Sequence, residues 1–69
     1  MARTYWTLAA KFADSTEWEI HFGDYDRQTV KDERDDCRYS GNYIGAQWCI
    51  VKSADDQASI NAAIAKLNA

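Results

Sequence analysis

The chain has 69 residues, a net charge of −3 and a pI near 4.8. That length allows one domain, which we take as residues 1–69, and the hydrophobic fraction of 46% is typical of a folded chain. The acidic balance argues against unaided nucleic-acid binding, which depends on neutralising phosphates. No apolar run approaches the roughly 18 residues of a membrane span, and the opening MARTYWTLAAKF is too polar for a secretion signal. We therefore expect a cytoplasmic protein with no membrane partner.

A β-hairpin is predicted at the start of the chain. Residues 4–12 alternate between two faces, ADST at 13–16 has turn chemistry, and residues 17–22 alternate again. The second strand should turn its apolar side chains to the core: Trp18, Ile20 and Phe22. His21 should then point to the opposite face, together with the two glutamates of that strand.

A helix is predicted from about residue 26 to 39. Asp24 and Asp26 are both suitable N-cap residues, and carboxylates favour the positive end of a helix. Gly41 supplies the usual residue beyond a helix C-terminus. Cys37 lies on the predicted inner line of this helix.

A third strand and a second helix complete the chain. Residues 42–52 alternate, and their predicted core side chains are Ile44, Ala46, Trp48 and Ile50. Ser53 is the predicted N-cap of the last helix, close to a capping box. The apolar stripe of that helix is formed by Ile60, Ile64 and Leu67, widened by Ala63.

The predicted element order is ββαβα, an α+β fold. A right-handed crossover through the first helix makes strands 2 and 3 parallel. Strand 1 then lies between them and antiparallel to both, which gives a three-stranded mixed sheet of order 2-1-3. We expect both helices on one face, so that the other sheet face is open. Cys37 and Cys49 should lie on opposite faces as free thiols.

The predicted first helix carries its two kinds of charge on separate flanks. The basic side chains fall together: Arg27, Lys31, Arg34 and Arg38. The acidic side, with Asp24 ahead of it, is the predicted partner-binding set: Asp24, Asp26, Asp32, Glu33 and Asp36. Like charges four residues apart cost a few tenths of a kcal/mol, so stability alone would favour mixing the signs. A solvated helix and a partner surface are the two interpretations that remain open.

The open sheet face is the second candidate surface. A homodimer that pairs through this face would use Tyr5, Thr7, Tyr43, Gln47 and Val51. Simple exposure to solvent and a stacking platform for single-stranded nucleic acid are the alternatives. Glu17 and Glu19, on the same face, count against the nucleic-acid platform.

The sequence carries no catalytic motif. Its three glycines do not form a phosphate-binding loop, and two cysteines 12 residues apart with one histidine do not have zinc spacing. A nucleophile pair of Cys49 and His21 would need contact across strand 1, which separates their strands. A Glu19-x-His21 pair shares one strand face, but a surface histidine near carboxylates is the commoner case. We therefore expect no enzyme activity, no metal and no cofactor.

The segment FGDYDR at 22–27 and its surroundings resemble small proteins of proteobacterial phages and prophages. These share an aromatic opening strand, a W.I.FGDYDRE.V..ER core and a closing I..AI..LN helix. The matching positions of this chain are Trp6, Trp18, residues 22–27, Val30, Glu33, Arg34 and residues 60–68. The chain departs from the pattern at Cys37 and in the apolar character of its third strand.

This resemblance implies a candidate function. Small acidic phage proteins of this size include many anti-CRISPR inhibitors, so we expect an inhibitor of a host CRISPR-Cas complex that acts in the host cytoplasm. Its acidic surface would occupy a basic surface meant for nucleic acid. The alternatives are a structural or regulatory homodimer and a nucleic-acid-binding module that uses the basic helix stripe.

Overall fold

The computed structural model describes residues 3–69. The elements follow in the predicted order: β1 (Thr4–Lys11), β2 (Glu19–Asp24), α1 (Arg27–Tyr39), β3 (Gln47–Ala54) and α2 (Gln57–Asn68). They form an α+β fold with sheet order β2-β1-β3, as predicted. Both ladders are antiparallel, so β2 and β3 run in the same direction on either side of β1.

The central strand β1 is buried on both of its faces. Successive side chains of a strand point to opposite faces. Four consecutive residues nevertheless have 0% exposure: Thr7, Leu8, Ala9 and Ala10. Each face of the sheet is therefore covered.

The helix α1 covers the face that carries Leu8 and Ala10. Trp48 pairs with Ala10 and so lies on that face, where it lines a groove with Arg34 and Arg38 of α1. The inward residues of α1 that are buried include Cys37, as predicted. We call this side of the sheet the α1 face.

The helix α2 covers the opposite face, which carries Thr7 and Ala9. Val51 pairs with Thr7 and lines a groove with Ala63 and Leu67 of α2. The stripe residues Ile60 and Ile64 are buried, and Asn68 at the end of α2 bonds the backbone of Trp18 just before β2. Thus α2 crosses the sheet from β3 to β2.

The placement of the helices differs from the prediction in this one respect: they lie on opposite faces. Three strands about 4.8 Å apart form a sheet that a single helix about 10–12 Å wide can cover. With α1 over one face, the apolar stripe of α2 is buried on the other. No open sheet face remains at β1.

A β-bulge in β2 reverses the side-chain alternation of that strand. Leu8 pairs with Phe22 and Ala9 with Ile20, so His21 is the extra residue between them. Ile20 therefore leaves the predicted core and is 48% exposed. His21 faces α1, where its Nε2 contacts Cys37. The prediction that His21 points away from α1 was wrong.

The N-cap of α1 was correctly predicted and that of α2 was not. Asp26 accepts a hydrogen bond of 2.9 Å from the backbone N–H of Gln28, and Gly41 beyond the C-terminus of α1 has a φ of +79°. Ser53 belongs to β3, and Asp56 is the N-cap of α2. Hydrogen bonds from the hydroxyl and the backbone N–H of Ser59 lower the pKa of Asp56.

The third strand begins later than predicted. Residues before it form a turn, closed by a hydrogen bond of 3.1 Å from the N–H of Ala46 to the carbonyl of Tyr43, and Gly45 has a φ of +84°. Ile44 is consequently 86% exposed instead of in the core. From Gln47 onward the predicted alternation is correct. Cys49 pairs with Ala9, on the face opposite to Cys37, and both thiols are free.

None of the helices in residues 3–69 is both long enough and apolar enough to cross a membrane.

Candidate functional site

The acidic flank of α1 lies along the edge strand β2. The Sγ of Cys37 is 3.4 Å from Nε2 of His21 in β2, and it donates a 3.4 Å hydrogen bond to Oε2 of Glu33. Glu33 belongs to the acidic flank, so this flank is on the β2 side, and Asp24 ends β2 itself. We define the acidic edge by the five predicted partner-binding residues: Asp24, Asp26, Asp32, Glu33 and Asp36.

Local hydrogen bonds hold several carboxylates of the acidic edge in place. Asp24 accepts a 2.8 Å bond from the backbone N–H of Asp26, whose own side chain caps α1. Asp32 accepts a 2.9 Å bond from the amide nitrogen of Gln28, one turn earlier. These bonds fix geometry without cancelling negative charge, because the donors are neutral.

No ion pair neutralises the acidic edge in the described part of the chain. The one ion pair among residues 3–69 joins Arg34 Nε to Asp35 Oδ1 at 3.3 Å, and neither residue belongs to the edge. Asp32 and Asp36 are exposed. The edge therefore presents uncompensated negative charge to solvent.

Two basic residues of α1, Arg34 and Arg38, lie over the other edge strand, β3. A groove there is lined by Arg34, Arg38, Ala46, Gln47 and Trp48. Farther along, Cζ of Arg27 is 5.4 Å from the ring centroid of Trp6, and Nζ of Lys52 is 5.9 Å from the same centroid. We call this side the basic groove. The domain is thus acidic along β2 and basic along β3.

Three potential metal-ligating side chains meet between α1 and β2. The donor atoms of His21, Glu33 and Cys37 all lie within 4.8 Å of one another. Cys37 is 6% exposed, whereas His21 and Glu33 are half-buried, so the cluster is open to solvent on one side. Its members come from the bulge of β2 and from positions i and i+4 of α1.

Aromatic rings hold the imidazole of His21 in place. Its ring centroid lies 5.3 Å from that of Trp48, 5.4 Å from that of Tyr43 and 6.4 Å from that of Phe12, all with the rings edge-on. Edge-to-face contacts at such distances are favourable. Because the ring is packed on several sides, its Nε2 stays directed at Cys37.

The cluster is poorly suited to thiol catalysis. Burial raises the pKa of Cys37, and the hydrogen bond to Glu33 and the negative charges of Glu33 and Asp36 raise it further. A reactive cysteine needs a lowered pKa, because the thiolate is the nucleophile. The pair of Cys37 and His21 therefore resembles a catalytic dyad in composition only.

The five residues of the predicted dimer face do not form one surface. Thr7 is fully buried, and Val51 lines the groove beneath α2. The ring of Tyr5 packs edge-on against Tyr25, with centroids 5.1 Å apart. Tyr43 belongs to the aromatic cluster of the α1 face, and Gln47 lines the basic groove. The five residues therefore do not share one exposed sheet face.

Sequence reasoning missed the cluster of His21, Glu33 and Cys37. The spacing of Glu33 and Cys37 places both on one helix face, which was a usable signal. The bulge hid the third member, because regular alternation assigns His21 to the wrong face.

Comparisons with protein-family models, with curated proteins and with solved structures find no match for this chain.

Proposed function

We propose that this chain is a small phage-type interaction protein that inhibits a host CRISPR-Cas complex without enzyme activity. Its acidic edge would bind a basic surface of the complex that otherwise holds nucleic acid. The observation that supports this proposal most directly is the charge of the acidic edge. Its five carboxylates lie on one side of the domain, and none of them forms an ion pair within residues 3–69. The phage resemblance supplies the class of target, and the charge supplies the contact surface.

The separation of charge supports a protein partner of positive potential. Arg34 and Arg38 of α1 lie toward β3, and Arg27 lies over Trp6. These cations are therefore on the other flank of α1 and do not reduce the negative potential that the acidic edge presents to a partner. Complementary potentials speed and orient the encounter, and they matter less for final affinity. The inhibitor would thus arrive with β2 and α1 facing the target and the basic groove facing away.

The test compares two charge-reversed variants in binding to a purified, guide-RNA-loaded CRISPR-Cas complex. Asp32→Lys with Asp36→Lys changes two exposed residues and leaves Glu33, which contacts Cys37, intact. We expect this variant to bind at least about tenfold more weakly, a loss of about 1.4 kcal/mol. The wild type should also compete with target DNA, and its association should slow when salt is raised to about 0.5 M, where screening is strong.

The matched control is Arg27→Glu with Arg38→Glu, which reverses two charges on the opposite flank. It should bind nearly as well as the wild type. Equal weakening by both variants would contradict the acidic edge as the contact surface. If the wild type binds no such complex and captures a different partner from a host lysate, the inhibitor proposal fails.

A second candidate function uses the basic groove to bind nucleic acid. Its supporting observation is that Arg34 and Arg38 lie beside Trp48, while Arg27 and Lys52 lie over Trp6. Cations next to aromatic rings are the usual elements of single-strand binding. Retention of single-stranded DNA or RNA at low salt, lost in Arg34→Glu, would favour this function over inhibition.

A further inference from the structure

We propose that His21, Glu33 and Cys37 form a binding site for one transition-metal ion of the zinc class. Their donor atoms are one imidazole nitrogen, one carboxylate oxygen and one sulfur, all within 4.8 Å of one another. This site shares Glu33 with the acidic edge, but the proposal concerns an ion between α1 and β2 and not a protein partner.

The two donor separations that involve Sγ of Cys37 match those of zinc ligands. Zn–S bonds are about 2.3 Å and Zn–N or Zn–O bonds about 2.0–2.2 Å, so tetrahedral coordination places sulfur about 3.5 Å from its neighbouring donors. In the structure, Sγ of Cys37 is 3.4 Å from Nε2 of His21 and 3.4 Å from Oε2 of Glu33. Two of the three donor separations therefore already suit an ion, and the third, between the imidazole of His21 and the carboxylate of Glu33, is within 4.8 Å.

The fold positions all three ligands before any ion binds. Glu33 and Cys37 are one turn apart on α1, so their side chains emerge on the same face. The bulge at His21 turns the imidazole toward that face, and the surrounding aromatic rings hold it there. Such preorganisation favours binding because little side-chain entropy is left to lose.

The donor set selects the class of metal. Magnesium and calcium take oxygen ligands, whereas a sulfur, nitrogen and oxygen set suits zinc and cobalt. Three protein ligands leave one tetrahedral position for water or for a side chain of a partner. The half-buried His21 and Glu33 leave the ion a path from solvent.

The test titrates the folded chain with Co²⁺ and then Zn²⁺. One equivalent of Co²⁺ should replace the thiol proton of Cys37, which is released to solvent, and produce a sulfur-to-cobalt charge-transfer band. Zn²⁺ should then displace Co²⁺ with a stoichiometry of one per chain. Cys37→Ser should abolish the band. Glu33→Gln changes a half-buried residue and should keep the fold while weakening binding by at least about tenfold, because a neutral amide oxygen replaces the anionic carboxylate ligand.

The chain supplies its own matched control in Cys49, the other free cysteine, which lies on the opposite sheet face. Cys49→Ser should retain the band and the affinity. The proposal is overturned if the wild type gives no band, if Cys49→Ser loses it, or if Glu33→Gln binds as tightly as the wild type. Circular dichroism of Glu33→Gln establishes that its weaker binding is not caused by unfolding.

Discussion

Replacing Thr7 by valine should stabilise the protein. Thr7 is fully buried, and its hydroxyl oxygen has no hydrogen-bond partner among residues 3–69. An unsatisfied buried hydroxyl costs about 1–3 kcal/mol. Valine keeps the β-branched shape and exchanges the hydroxyl for a methyl group. We therefore expect Thr7→Val to raise the free energy of unfolding by about 1–2 kcal/mol.

The assay is thermal unfolding followed by circular dichroism, supported by urea unfolding. In a domain of this size, 1 kcal/mol corresponds to a Tm change of about 4–8 °C, and the urea m-value should stay constant. Thr7→Ser is the control: it keeps the hydroxyl, removes the methyl group and should lower Tm. If α2 did not cover this face, Thr7→Val would change stability by less than about 0.5 kcal/mol. That result would refute the assignment of the helices to opposite faces.

Three further predictions follow from packing and charge. Leu8→Ala, at a site of 0% exposure, should cost about 2–5 kcal/mol in urea unfolding, whereas Ile44→Ala, at 86% exposure, should change stability by less than about 0.5 kcal/mol. Gly23→Ala should lower Tm, because the added methyl group would lie 2.7 Å from Cε2 of Tyr5, and an unchanged Tm would show that this ring lies elsewhere. The pKa of Asp56 is lowered in the folded state, so its ionised carboxylate stabilises the fold at pH values above the unfolded-state pKa of about 4. This contribution is lost as the pH falls and the carboxylate is protonated. Asp56→Asn should therefore lose less stability between pH 5 and pH 3 than the wild type does.

Local signals in the sequence predicted the elements well. Asp26 caps the start of α1 and Gly41 follows its end, as expected, since capping depends on a few neighbouring residues. The order of the strands followed from the crossover through α1, which makes β2 and β3 parallel and leaves room for β1 between them, antiparallel to both. Each of these features is decided by short-range chemistry or by a general rule of topology, and both can be inferred from one sequence.

The errors came from features that alternation does not encode. The bulge in β2 changed the faces of Ile20 and His21, and the turn at residues 43–46 removed Ile44 from the third strand. The face chosen by α2 depends on where α1 has already packed, which is a tertiary effect. The acidic edge was predicted as a set, because its helix residues share one flank and Asp24 precedes them, but its position beside β2 required the contact between Cys37 and His21.

The bulge at His21 has a cost that points back to the proposed metal site. A regular β2 would bury Ile20, and full burial of an isoleucine side chain contributes about 1.5–3 kcal/mol. Instead Ile20 is 48% exposed, and the strand brings a titratable imidazole against a buried thiol and a carboxylate. Departures from local sequence rules are expected where function requires them. If the metal site is the reason for the bulge, adding Zn²⁺ should raise Tm in the wild type and leave the Tm of His21→Val unchanged.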